Sequence, residues 1–215
     1  WKTCTVNLDI VKRKLAITGT DLRFADILDR IAQNNRIMYL DYLQADTPVT
    51  GFLLQYDETD WEFMKRLAAM RGGVLVPDHT SPQGGFSFGI RDTAAIPIVD
   101  EHGQRTTLID YAAYDKKEAG GEEAFIQDCY HFTVSSHENY ELGQMVAYGY
   151  VDGLIEDLEI RGDAGMAIKK YGIVTRAGVR MASRVNRTYS GLHLPATVSE
   201  VQGSQIRVDF EIEQM

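Results

Sequence analysis

The hydrophobic periodicity of this chain changes once, near residue 92, and that change limits the folds open to it. Before that point, short stretches of period two alternate with two stretches of helical period. Beyond it, period two dominates, interrupted by turns rich in Gly and Asp. A 215-residue chain patterned this way is read as α+β, mainly β. The expectation is a small α/β domain carrying two short helices, barrel-like β domains, and the start of an OB-type barrel. The corresponding boundaries are residues 1–92 (the end of a first barrel plus the small α+β domain), 93–190 (a second barrel) and 191–215 (the truncated OB-type barrel).

In the first part, residues 3–18 read as one or two strands. Cys4, Val6, Leu8 and Ile10 alternate, and Leu15 and Ile17 continue the pattern after a basic turn at Lys12, Arg13 and Lys14. Thr20 or Asp21 is the expected N-cap of a first helix. Its apolar face holds Ala25, Leu28, Ile31 and Ala32, and it stops at Asn34 and Asn35. Residues 37–43 and 52–56 are short apolar segments separated by the breakers Pro48 and Gly51. The clearest local signal follows. Thr59, Asp60, Trp61 and Glu62 spell a capping box, in which the Thr59 hydroxyl accepts from the Glu62 N–H and the Glu62 carboxylate accepts from the Thr59 N–H. Asp60 and Glu62 also sit where the helix dipole favours negative charge. Phe63, Leu67 and Met70 form the apolar face of this second helix, and Gly72 with Gly73 stops it. Residues 74–76 and 86–88 read as strands joined by a turn.

In the second part, residues 106–109, 129–134, 145–150, 155–160, 167–175 and 197–201 read as strands, with an acidic connecting stretch at 118–127. Residues 175–189 carry a helical spacing in Val179, Ala182, Val185 and Tyr189. Ile206, Val208, Phe210 and Ile212 share one strand face close to the last residue. A half-buried strand there, and a start at Trp1, lead to the expectation that the chain is a piece of a longer protein.

Charge and motif content narrow the chemistry. With 22 basic and 31 acidic residues, the net charge is −9, which argues against wrapping DNA, since phosphate binding needs excess Lys and Arg. No run of about 18 apolar residues predicts a membrane-spanning helix, and no charged segment leads into an apolar one as in a signal peptide. Cys4 and Cys129 lie far apart without a CxxC spacing, so two reduced, buried thiols are expected. None of His79, His102, His131, His137 and His193 sits at metal-binding spacing, and His131, among apolar strand residues, is expected in the core. There is no GxSxG elbow, and neither Gly72-Gly73 nor Gly84-Gly85 opens a helix as a phosphate loop does. Asp57, Glu58, Asp60 and Glu62 offer paired carboxylates of the kind glycan hydrolysis uses, but capping accounts for the cluster. No catalytic, cofactor-binding or metal-binding residue is therefore assigned.

Charge is also segregated. Residues 100–160 hold fourteen acids against three bases, a net of −11, and residues 161–187 hold seven bases against one acid, a net of +6. Lys169, Lys170, Arg176, Arg180, Arg184 and Arg187 are candidate subunit-contact bases, facing an acidic surface on a neighbouring copy. Ordinary solvated faces are the other reading. Tyr171 and Tyr189 alone make no stacking pattern for nucleic acid, and no specific nucleic-acid ligand is expected.

Residues 55–68 resemble one family in particular. Tyr56, Glu58-Thr59-Asp60, Phe63 and Arg66-Leu67 follow the pattern of the baseplate hub and spike proteins of contractile injection systems. These include the valine–glycine repeat protein G of type VI secretion, the phage late control protein D and the hub of T-even phages. The resemblance extends loosely over residues 8–31, where Leu15-Ala16-Ile17 replaces the family's arginine-phenylalanine-glutamine, over 140–143, and over 191–198 with 206–208. It implies a homotrimeric structural hub with two similar barrels per subunit, joining a tail tube to a membrane-puncturing spike. It implies no cofactor and no enzymatic activity, assembly in the bacterial cytoplasm, and a place in a virion tail or tail-like particle. The motif's acids would cap a helix, Phe63 and Leu67 would pack, and Arg66 would pair with Glu62 one turn earlier. The alternatives are a tail-associated cell-wall hydrolase, or a free-standing carbohydrate- or peptide-binding module suggested by Trp1, Trp61 and the many tyrosines.

Overall fold

A computed structural model describes residues 3–18, 21–100, 106–111, 114–115, 125–163, 166–176, 178–179 and 186–214. A 3-10 helix, Cys4–Asp9, leads into β1 (Lys12–Ile17), α1 (Phe24–Asn35), β2 (Met38–Asp41), β3 (Leu53–Thr59), α2 (Asp60–Met70), β4 (Leu75–Pro77) and β5 (Gly85–Phe88). There follow β6 (Ile96–Pro97), β7 (Thr106–Ile109), a 3-10 helix at Ile126–Cys129, β8 (Tyr130–Ser136), β9 (Met145–Tyr148), β10 (Val151–Asp163) and β11 (Met166–Thr175). A 3-10 turn at Arg187–Tyr189 precedes β12 (Ala196–Gln202), β13 (Gln205–Phe210) and β14 (Glu213–Gln214). The fold is α+β and mainly β.

The first core forms where α1 and α2 pack with the β1–β3 pair and with a small sheet of order β2-β5-β4. Ile27, Leu28, Phe63, Leu67 and Phe88 are its fully buried centre. Three local expectations change here. Residues 4–9 are a 3-10 helix instead of a strand: among the described side chains Thr5 and Leu8, three apart, are buried, while Val6 and the following Ile10 face outward. The bases expected in a turn lie inside β1, with Lys12 opposite Thr59 and Arg13 opposite Glu58 on β3. At the start of α1, Arg23 takes the cap position and its N–H donates to the Asp26 carboxylate at 2.7 Å. Asp21 therefore does not cap, and Thr20 lies outside the described residues. The stop is as expected, with Arg36 left-handed at φ 54°.

The second core belongs to a six-stranded sheet of order β6-β9-β10-β11-β8-β7. Phe132, Val134, Val146, Ile155, Tyr171 and Ile173 fill one face. The long β10–β11 hairpin is its spine and shifts register between Ile155 and Asp157. Gly153 is required there, because a Cβ would stand 2.4 Å from the Ile173 side chain and 2.9 Å from the Val174 carbonyl. The expected barrel is not closed: among the described residues β6 and β7 stand at opposite ends of the sheet. β6 is only two residues long and ends in Pro97, which has no N–H to extend a ladder. His131 is not a core residue; its side chain is 32% exposed and Nδ1 lies 2.6 Å from the Glu156 carboxylate. Cys129 is a buried thiol, whereas the Cys4 side chain lies outside the described residues, as do His102 and 118–124.

The helix read in 175–189 is replaced at both ends. β11 runs through Thr175, and residues 187–189 form one 3-10 turn, with 180–185 outside the described residues. The chain after residue 191 makes the β12–β13 hairpin, whose strands are largely exposed. It is anchored at its far end: Phe210 packs on Phe52 with ring centroids 5.2 Å apart, β14 pairs with β1, and Glu213 meets Arg30 at 2.6 Å.

Candidate functional site: the polar knot at the β3–α2 joint

β3 turns directly into α2, and most of the motif residues converge at that turn. Asp57 adopts the left-handed conformation at φ 52°, which an aspartate tolerates better than most residues, and its carboxylate meets Lys12 at 3.1 Å. Thr59 is extended and caps α2, its hydroxyl accepting from the Glu62 N–H at 3.1 Å and its own N–H donating to the Glu62 carboxylate at 3.0 Å. The capping box is therefore present as read. The Thr59 hydroxyl also donates to Asp9 at 2.5 Å, tying the N-terminal 3-10 helix to the joint.

Because Glu62 is engaged by the cap, Arg66 does not pair with it. Arg66 reaches back across the joint to Glu58 in a two-pronged contact, Nε to Oε1 at 3.1 Å and Nη2 to Oε2 at 2.8 Å. Both residues are buried, Glu58 8% and Arg66 7% exposed, so the pair is desolvated and its geometry decides its worth. Arg66 Nη2 also donates to the Leu54 carbonyl at 2.5 Å and to the Tyr189 hydroxyl at 2.7 Å. Its guanidinium lies between two rings, 5.0 Å from the centroid of Phe63 and 5.4 Å from that of Tyr189. Leu67 is fully buried behind it.

Asp60 is the second buried acid. It accepts from Arg13 Nε at 3.0 Å, Gln55 Nε2 at 3.0 Å and Asn35 Nδ2 at 3.2 Å. The sequence places Asp60 at a helix N-terminus, and the structure adds donors from β1, β3 and α1. Tyr56 carries Lys14 over its ring at 4.8 Å, and its carbonyl accepts from Asn186 Nδ2 at 2.9 Å and Thr188 Oγ1 at 3.3 Å. The Tyr189 hydroxyl donates to the Leu54 carbonyl. Burial pushes the Tyr189 hydroxyl pKa up, with the Arg66 charge working against it.

Glu58, Thr59, Asp60, Phe63 and Arg66 thus meet at the joint, Tyr56 takes part through its backbone carbonyl, and Leu67 lies in the first core. Glu58 and Asp60 are buried and bonded to cationic or amide donors. Sequence reasoning missed the partners that come from outside the motif, Tyr189 the most distant of those on Arg66. Tyr189 stands 123 residues from Arg66, and no spacing rule links the two.

Of the candidate contact bases, Lys169, Lys170 and Arg176 have side chains among the described residues. Lys169 Nζ donates to the His137 carbonyl at 3.0 Å and to the Asn139 side chain, and Arg176 meets Asp92 at 2.9 Å. Lys170 is exposed opposite Glu159. Arg180, Arg184 and the Arg187 side chain lie outside the described residues. Elsewhere, a cleft of about 630 Å³ opens between the outer face of the β2-β5-β4 sheet and the turn at residues 141–144, with Asp78, His79 and Arg91 at its wall. Burial opposes ionisation of Asp78, but the hydroxyl and N–H of Thr80 and the N–H of Ser81 outweigh it and hold the carboxyl below its usual range. Among the described residues, no group of three or more His, Cys, Asp and Glu side chains is placed to hold a metal ion, and no helix is long and apolar enough to cross a membrane.

No protein-family model and no curated protein matches the sequence. Among solved structures, the chain is similar to the 43 kDa tail protein of prophage MuSo2 from Shewanella oneidensis. The TM-score is 0.62 over 85% of this chain and 71% of that one, at 10% sequence identity. What the two share at that identity is the fold, so the mainly β architecture with its two-helix unit is one that a prophage tail protein also adopts.

Proposed function

We propose that this chain is a structural component of a phage-tail-like contractile machine, acting in its baseplate as a trimeric hub between tail tube and spike. The observation that carries the reading is the shared fold with a prophage tail protein over most of the chain. The motif from Tyr56 to Leu67 supports the hub assignment, because most of its residues converge on one joint as a structural signature would. Such a role is mechanical: the hub passes the force of sheath contraction to the spike, and its own chemistry is confined to holding shape. A charged, bidentate knot between strand and helix suits that demand, since it fixes orientation as well as distance.

The six-stranded sheet offers the surface for assembly. Among the described residues β7 is an edge strand, and Leu108, Tyr111, Phe125 and Ile126 expose 62%, 59%, 50% and 41% of their surface at or near it. An edge with exposed apolar side chains is a template for pairing with another chain. Light scattering on the natural full-length protein is expected to give a trimer, and Leu108→Lys to weaken it. A strictly monomeric full-length protein at assembly concentrations refutes the hub reading.

A further inference from the structure

Among the described residues, the chain between the six-stranded sheet and the C-terminal hairpin meets the first unit at the outer edge of β3. Three side chains fasten it there. Asn186 and Thr188 donate to the Tyr56 carbonyl, and Tyr189 donates to the Leu54 carbonyl while accepting from Arg66. Residues 54 and 56 are two apart on a strand, so both carbonyls point to the same edge. The Leu192 N–H closes the turn on the Tyr189 carbonyl at 3.1 Å. At the opposite edge of this small sheet, β14 lies beside β1. Residues 186–214 therefore straddle the β1–β3 pair, held on one side by β14 and on the other by side chains alone.

We propose that residues 186–189 form a releasable strap, with Tyr189 as its pin and Arg66 and the Leu54 carbonyl as its socket, which sets where the β12–β13 hairpin sits on the first unit. Two features make the strap separable from the fold it fastens. The socket is complete without the pin: Arg66 keeps both contacts to Glu58 and its bond to Leu54, all within residues 54–66. The strap makes no ladder pairing with β3, whose registered partner is β1. Pulling Tyr189 out leaves the buried ion pair intact and exposes a strand edge, whereas pulling β14 away breaks a sheet. The strap is therefore the side that opens first. The inference stands on this geometry and does not depend on the tail role.

Tyr189→Phe removes the hydroxyl and keeps the ring over Arg66. Asn186→Ala with Thr188→Ala removes the other two side-chain ties. In hydrogen–deuterium exchange on the full 215-residue chain, each variant is expected to exchange at least about tenfold faster in residues 186–195 and 205–214. The loss of one net hydrogen bond, near 1.4 kcal/mol, corresponds to that factor. Amides of α2 and of β8, β10 and β11 are expected to exchange as in the parent protein. Unchanged exchange of residues 186–195 and 205–214 in both variants overturns the proposal. A parallel rise in α2 also overturns it, because Tyr189 would then be part of the first core and not a pin.

Discussion

Replacing Arg66 by Met tests whether the knot at the β3–α2 joint supports the first unit. Met retains much of the aliphatic stem and removes the charge. Glu58, 8% exposed, is left as a buried carboxylate without its cation, and Tyr189 loses a donor but keeps its bond to Leu54. Removing one member of a buried pair costs about 3–5 kcal/mol, most of it the stranded charge. That is a large share of the roughly 5–15 kcal/mol that holds a domain folded. The assay is urea unfolding followed by Trp61 fluorescence in a Trp1→Phe background, since Trp61 packs edge-on against Phe86 at 6.0 Å and reports on this core. With a urea slope of about 2 kcal/mol/M, the midpoint is expected to fall by roughly 2 M. Glu58→Gln in the Arg66→Met chain removes the stranded charge and is expected to recover about 2 kcal/mol, a coupling that two independent sites would not show. A midpoint shift below about 0.3 M for Arg66→Met, or additive losses in the cycle, refutes the reasoning.

Two further outcomes follow from the geometry. Gly153→Ala is expected to disrupt the β10–β11 pairing and lower the thermal midpoint of the six-stranded unit by several degrees, read by circular dichroism. Its new Cβ would meet both a side chain and the Val174 backbone carbonyl, which cannot swing away. The raised Tyr189 pKa sets a pH dependence: the fold favours the neutral phenol, so this contribution is complete below the ordinary tyrosine value of 10.0 and is lost as pH climbs above it through the folded value. Tyr39 and Tyr171 are raised as well, by burial in both cases. The measurement is therefore the difference in alkaline stability between the parent chain and Tyr189→Phe, and parallel curves above pH 10 contradict the assignment.

What was legible in the sequence was local. The Thr59–Glu62 box, the Phe63 and Leu67 part of the α2 face and the stop of α1 depend on residues within four positions of one another, and each is found where the spacing puts it, whereas Met70, read onto the same face, is 46% exposed in the last turn of the helix. The failures come from windows too short to separate periods. Over residues 4–10, the alternation of Cys4, Val6 and Leu8 and the three-residue step from Thr5 to Leu8 coexist, and burial selects the second. Strand positions in the second part were readable from alternation, but closure of a barrel was not. Among the described residues, the sheet ends at β6 and β7, and β6 is a two-residue strand ending in proline, which has no N–H to extend a ladder.

The site itself shows why a helix rule assigned the wrong partner to Arg66. Glu62 lies at the right spacing, but a carboxylate that accepts from its own cap is fixed at the N-terminus of the helix, away from the next turn. Glu58 precedes the helix, so helical spacing does not reach it. Chain reversal at Asp57 and Thr59 brings it over Arg66. Desolvation then fixes the choice, since an arginine that is 7% exposed needs a charged partner at full contact, which Glu58 supplies alongside the Leu54 carbonyl. The same reasoning bears on the charge split. Lys169 and Arg176 find acceptors within their own chain, at His137, Asn139 and Asp92. Arg176 and Asp92 are both exposed, so that pair adds little stability and can be exchanged for one with another subunit at small cost. In the proposed assembly, segregated surface charge of this kind would orient an approaching copy, and the apolar side chains at β7 would supply interface area.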